Sequence, residues 1–212
     1  MTSTETTDII DLLAGIEPES SLDAIRGRRL QARENAQKSY LALFEPRDFD
    51  DMLAAERCAV AAFVAGVHGE RTVADFYLAR LGKIEGSLQL VETLKAEIER
   101  GKTIGPYGAF PAGPLSSEDK TGLIYRLAER PKSVMSGRLA AALEHAHLLV
   151  FRPRDAKPEA MQALLDAGWS STGIVVLSQL VAFLSFQVRS VAGLRTLGAS
   201  LAVSAPAAAK AG

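Results

Sequence analysis

The longest apolar run of the chain lies between Ser170 and Gly198. It is hydrophobic around most of a helical axis and contains no proline, which predicts one long core helix, buried on several sides over 172–196. Gly168 and Ser170 mark its start and Gly198 its end. One stripe differs: Ser178, Ala182, Ser185, Arg189, Ala192 and Thr196 recur at steps of four and three and share a face. The small residues let another helix approach, and Arg189 sets a charge in the middle of that face. The pattern therefore predicts a buried Arg189 paired with a carboxylate, Glu56 or Glu144 being the candidates. The uncharged run contains Gln179 and Gln187 and stops at Arg189, which favours a core helix over a membrane span.

The remaining pattern is also helical. Asp8 to Gly15 is a short amphipathic segment with Ile9, Leu12 and Leu13 on one side. Leu22 to Phe44 reads as helix with a break at Gly27, and its stretch RGRRLQAREN as a solvated face. Asp50 to Gly69 carries Val60, Phe63, Val64 and Val67 at core spacing, with Gly69 as the C-terminal cap. Thr72 and Asp75 match a capping box opening the next helix, with Phe76, Leu78 and Leu81 as its apolar positions. A helix from Glu85 to Arg100 follows, closed by Gly101. Residues 101–117 hold four Gly and three Pro and cannot sustain a helix; Tyr107 and Phe110 predict a loop pinned to the surface. Helices are expected at 118–130, weakened by Gly122, and from Ser136 to Phe151, with Leu139, Leu143 and Leu148 inward. Another runs from Pro158, at its first position, to Gly168. No stretch alternates with period two long enough to be a strand, so the fold class is all-α. The expected organisation is an N-terminal segment 1–20 and a single helical domain 21–200. That domain has two helical halves joined by the loop 101–117, and a disordered tail 201–212 follows it.

Composition narrows the function classes. The chain has 212 residues and a formal net charge of −1, with Lys and Arg spread along it, so neither a nucleic-acid footprint nor an anionic-membrane surface is present. A single cysteine, Cys58, excludes an internal disulfide framework and a Cys-x-x-Cys pair. The opening MTSTETTDIIDLL has no positive region ahead of an apolar core, so a secretory signal is not expected and a cytoplasmic location is.

Two regions, AERCAVAAFVAGVHGERTVADFYLARLG (55–82) and EAMQALLDAGWSSTGIVVLSQLVAFLSFQVRSVAGLRTLG (159–198), resemble one family. It is the carboxymuconolactone decarboxylase and alkylhydroperoxidase D-like proteins. The second region is similar to that family's Gly-aromatic-Ser start, long apolar helix, Phe-x-x-Arg and Gly-Leu ending, and the likeness spans roughly residues 30–198. The loop GPYGAFPAGPLS and the preceding ENAQKSYLALFEP look like an uncharacterised branch. The resemblance implies an all-α alkylhydroperoxidase D-like bundle assembled as homotrimers or hexamers. It also implies a pocket whose family-equivalent positions are Cys58, His68, Glu70, Val73 and Tyr77. In the peroxidase members a carboxylate lies one helix upstream of Cys-x-x-Cys-x-x-x-His at a helix N-terminus, where the dipole favours thiolate. Aligning the Val-Ala-x-x-x-Gly run puts Cys58 at the carboxylate, Glu70 and Val73 at the cysteines and Tyr77 at the His, so none of the four family residues is present. Phe186 and Arg189 keep the family's pattern, while Ser185 and Val188 stand where Asn is frequent.

Each polar candidate has a plainer reading. Cys58 reads as a small buried hydrophobe before it reads as a nucleophile. His68 and Glu70 at a helix junction are turn and cap residues, or an acid/base pair. Tyr77 is a core-edge residue, or a pocket wall. His145 and His147, two apart on a helix, point to different sides, so no metal is expected, and no cofactor either. Two function classes stay open. One is an enzyme related to the antioxidant or decarboxylase branches, of unknown substrate and without the dithiol centre. The other is a non-catalytic structural or partner subunit of a Cys-x-x-Cys-bearing homologue. Neither nucleic acid nor membrane is expected as a partner.

Overall fold

The computed structural model describes residues 7–49, 51–128 and 134–204. Helices take up 69% of the chain and no strand forms among the described residues, so the all-α expectation holds. The chain divides into two compact units, residues 46–185 and residues 1–45 with 186–212, rather than at the loop 101–117.

The larger unit is built on a helix that the sequence pattern understates. α4 (Ala54–Val67) is buried at every position from Glu56 to Val67. Its Ala-rich, Gly-containing sequence presents little bulk, so α5 (Arg71–Gly82), α6 (Leu88–Gly101) and α7 (Gly137–Phe151) all pack against it. The approach of α6 is closest at two glycines. A Cβ on Gly66 would lie 2.5 Å from Ile98 Cγ2, and one on Gly101 would lie 3.1 Å from Phe63 and Val67. α8 (Pro158–Asp166) packs on α7, with Pro158 at its first position as expected. Gly168 (φ 89°) then turns the chain, the Trp169 N–H donating to the Leu164 carbonyl.

α9 (Ser171–Ser204) is the longest helix, capped by Ser170, whose Oγ accepts from the Gly173 N–H at 2.9 Å. It differs from the expectation in two ways. Gly198 does not end it: the helix runs on to Ser204, and Gly198 serves close packing, since a Cβ there would lie 2.8 Å from Leu22 Cδ1. The stripe holding Ala182, Arg189, Ala192 and Thr196 is the exposed face, with Ser178 and Ser185 half-buried, and beyond Val191 no described residue of α9 is buried. Arg189 is therefore solvated rather than a buried structural charge. Both carboxylates suggested for it are taken: Glu56 by Arg138 at 2.8 Å and Glu144 by Arg126 at 3.2 Å. By length and composition Ser171–Ala202 could cross a membrane, but half of its apolar window is buried within the fold.

Arg138, at the start of α7, ties three distant segments together. Its guanidinium bonds Glu56 Oε1 at 2.8 Å and the Gly168 carbonyl at 2.9 Å and lies 4.0 Å above the Trp169 ring. Trp169 Nε1 donates back to the Arg138 carbonyl at 2.9 Å. Glu56, 6% exposed, also accepts from the Leu53 N–H at 3.0 Å, which caps α4.

The smaller unit contains α1 (Ile9–Ala14), α2 (Ser21–Gly27), α3 (Leu30–Phe44) and the end of α9. The expected break at Gly27 is present. In α1 the buried face is Ile9, Ile10 and Leu13, while Leu12 is exposed. The basic stretch is mostly solvated, but Arg26 and Arg33 turn inward: Arg26 pairs with Asp8 at 2.8 Å and Asp11 at 2.7 Å, and Arg33 with Asp11 and with Asp23 at 2.9 Å.

Over its described residues, 118–128, the segment expected to be a helix at 118–130 forms no α-helix. Gly108 and Lys120 form an isolated bridge, and 121–128 runs without regular structure, burying Tyr125 and Leu127. A Cβ on Gly122 would lie 2.3 Å from the Tyr107 ring, so the glycine that weakens helix propensity here also admits the tyrosine. The loop is pinned as expected: Tyr107 is buried, stacks on Phe151 at 6.3 Å and donates from its hydroxyl to the Leu123 carbonyl at 2.6 Å. Arg154 lies 3.9 Å over the Phe110 ring. Asp50, residues 129–130 of that expected helix, and residues 205–212 of the expected tail lie outside the described residues; 201–204 belong to α9.

Replacing Gly66 with Val should lower stability by about 1–3 kcal/mol through overpacking against Ile98, read as a reduced urea midpoint at unchanged slope. Arg138→Met should cost about 3 kcal/mol by leaving Glu56 buried and unpaired. Arg189→Met should stay within about 0.5 kcal/mol of the parent, as exposed sites do; an equal loss for both arginines would contradict the assignment.

Candidate functional site

The positions singled out by the sequence resemblance lie on α4, on α5 and in the turn between them, with His68, Glu70 and Val73 at the turn and Cys58 toward the other end of α4. α4 ends at His68, Gly69 adopts φ 77°, and the Glu70 N–H donates to the Ala65 carbonyl at 3.0 Å, closing the turn. α5 begins at Arg71 with Glu70 as its N-cap, so Thr72 lies inside the helix and the expected capping box is not the start signal. His68 and Glu70 are half-buried, and the His68 ring lies 6.2 Å from Phe151. Val73 and Tyr77, on the inner face of α5, are fully buried.

Cys58 is the fifth residue of α4, 5% exposed. Burial pushes its thiol above the usual range, and the Arg80 guanidinium, which hydrogen-bonds it from α5, offsets that only in part. Arg80 is the residue that sequence reasoning missed here; it lies one helix away, where no spacing rule reaches. Arg57, next in sequence, does not activate the thiol: its Nε donates to the Met52 carbonyl at 2.8 Å and its guanidinium lies 5.3 Å over the Phe49 ring.

A cleft of about 570 Å³ opens beside this junction, lined by Gly69, Arg71, Asp75, Ile98 and Lys102 among others. It faces the surface of α5 and α6. Cys58, Val73 and Tyr77 do not line it, so the junction's buried positions and the open cavity are different places.

A second cluster lies where α6 and α7 meet the loop. The Tyr125 hydroxyl donates to Glu97 Oε2 at 2.6 Å, and Arg100 pairs with the same carboxylate, which is 1% exposed. Burial, reinforced by the Glu97 charge, pushes the Tyr125 phenol far up and keeps it protonated. His147 stacks on Tyr125 at 5.0 Å and packs against Phe151 at 4.7 Å. Its Nε2 lies 2.9 Å from the Gly101 carbonyl, a contact that requires the proton on Nε2 and leaves Nδ1 without a partner. Sequence reasoning missed Glu97, although its place gives the signal: it falls three residues after Leu94 and one before Ile98, on the apolar face of α6. Tyr125 was hidden by the helix expected around it.

His145 and His147 face different sides of α7, as their spacing requires. His145 is 6% exposed and neither ring nitrogen has a hydrogen-bond partner. No group of His, Cys, Asp and Glu able to hold a metal occurs among the described residues. Burial lowers the pKa of both histidines and holds them neutral.

No protein-family model matches the chain, and no curated protein or solved structure is detectably similar to it.

The two histidines set a pH dependence. Both have folded pKa values below the unfolded value of about 6.5, so the unfolded chain takes up protons first as the solution is acidified. The stability they protect is complete above about pH 6.5 and falls as pH drops toward the folded values, by up to about 1.4 kcal/mol per pH unit for each histidine. Melting temperatures between pH 7.5 and 5 should fall accordingly, and His145→Leu with His147→Phe should flatten the decline.

Proposed function

We propose that this chain is an alkylhydroperoxidase D-like helical protein that lacks the dithiol centre of that family and works without thiol redox turnover. The observation that carries the reading is the environment of Cys58, a thiol buried on α4 and held protonated by that burial. A peroxidase cycle needs an attacking thiolate and a second thiol to resolve the sulfenic acid. The positions equivalent to the family's cysteines carry Glu70 and the fully buried Val73. The helix–glycine turn–helix of α4 and α5 and the long α9 are the features that support the family reading. On it the chain is a cytoplasmic homotrimer or hexamer.

A second reading is a non-catalytic subunit that pairs with a Cys-x-x-Cys-bearing homologue. Exposed apolar side chains on α9, Val175 at 55% and Phe186 at 48%, favour association of either kind.

Native Cys58 should react with a thiol reagent more than about tenfold more slowly than in the unfolded chain, and the protein should not consume peroxide with dithiothreitol as reductant. Fast native labelling with turnover abolished in Cys58→Ala would make Cys58 a nucleophile instead. Light scattering at micromolar concentration should give a mass of three or six chains; a monodisperse monomer would refute the assembly.

A further inference from the structure

A cleft of about 480 Å³ lies between α7 and α8, distinct from the α4–α5 junction. Ala141 and Leu148 from α7 and Ala163 and Leu164 from α8 give it an apolar surface, next to the unpartnered His145 ring. The charged groups around it are unequally satisfied. Glu144 accepts from Arg126 at 3.2 Å and from the Leu127 N–H at 2.9 Å. Asp155 accepts from the Ala109 N–H at 3.0 Å. Glu159 stands in the first turn of α8, where free backbone N–H groups favour its charge.

Arg152 is not satisfied. Its side chain is 13% exposed, and its one polar contact among the described residues is a long one, from Nη1 to Asp155 at 3.4 Å. Its Nε is buried with no hydrogen-bond partner. Lys157 lies on the same rim. The unmet demand is for an acceptor, beside a surface that receives an apolar group.

We propose that this cleft binds a small organic anion, a carboxylate on a short apolar body, with the carboxylate taken by the Arg152 guanidinium. A planar guanidinium matches a carboxylate with two parallel hydrogen bonds, and Lys157 adds charge at the rim. The apolar body packs between Ala141 and Leu148 on one side and Ala163 and Leu164 on the other. This inference is independent of the Cys58 chemistry, since the cleft shares no residue with that junction.

The test is titration of the full chain with benzoate, followed by amide chemical shifts and by calorimetry, with benzylamine and inorganic phosphate as comparison probes. Benzoate should bind saturably and shift amides of α7 and α8. Arg152→Gln should weaken it at least about tenfold. Ala163→Trp, which fills the cleft without altering charge, should abolish it, and this variant decides the question should Arg152→Gln not fold. Absence of binding at 10-fold molar excess over millimolar protein would overturn the proposal. So would benzylamine binding as well as benzoate, phosphate binding more tightly than benzoate, or benzoate binding that survives Ala163→Trp.

Discussion

The larger unit depends on how closely α6 can approach α4. Ile98 occupies the space where a side chain on Gly66 would be, and Phe63 and Val67 occupy that space at Gly101. This contact lets α4 be enclosed by three helices at once, although its own residues are mostly small. Enclosure in turn explains the electrostatics of the unit. Burial on α4 pushes the Cys58 thiol up and keeps it protonated, and Glu97, facing inward on α6, is met there by both the Tyr125 hydroxyl and Arg100. His147 stays neutral for the same reason.

Most helices were legible because their punctuation is local. Gly69, Gly168, Ser136 and Pro158 each act within one turn, and each stands where the pattern put it. The failures share a different cause. α9 is apolar around most of its axis, so periodicity could not say which face is wet, and the stripe with Arg189 was assigned inward when it points out. The segment 118–130 has helical composition, but Tyr125 and Leu127 gain more by burial against α6 and α7 than by a helix of their own, an instance of tertiary packing overriding propensity.

The candidate site was legible in part. The sequence places Cys58, Glu70, Val73 and Tyr77 on adjoining helices, and the fold brings those helices together. It could not show that the three inward-facing residues of this set are sealed from the neighbouring cleft, because sealing depends on α6, whose distance from α4 is fixed by the glycines. Arg80 and Arg152 were overlooked for a related reason. An arginine on a polar helix face looks like any solvated charge until the neighbouring element is known, and what distinguishes these two is whether their donors are occupied.

The Arg138 latch bears on the order in which the larger unit forms. Its bonds to Glu56 and to the Gly168 carbonyl span 82 and 30 residues of chain. Closing loops of that length costs entropy before any bond is made, so α4 with α5, joined by the three-residue turn 68–70, is favoured to assemble first. A contact closed after that pair adds little to the speed of folding and resists unfolding instead, so the Arg138 latch is expected to act on the lifetime of the folded unit more than on its rate of formation.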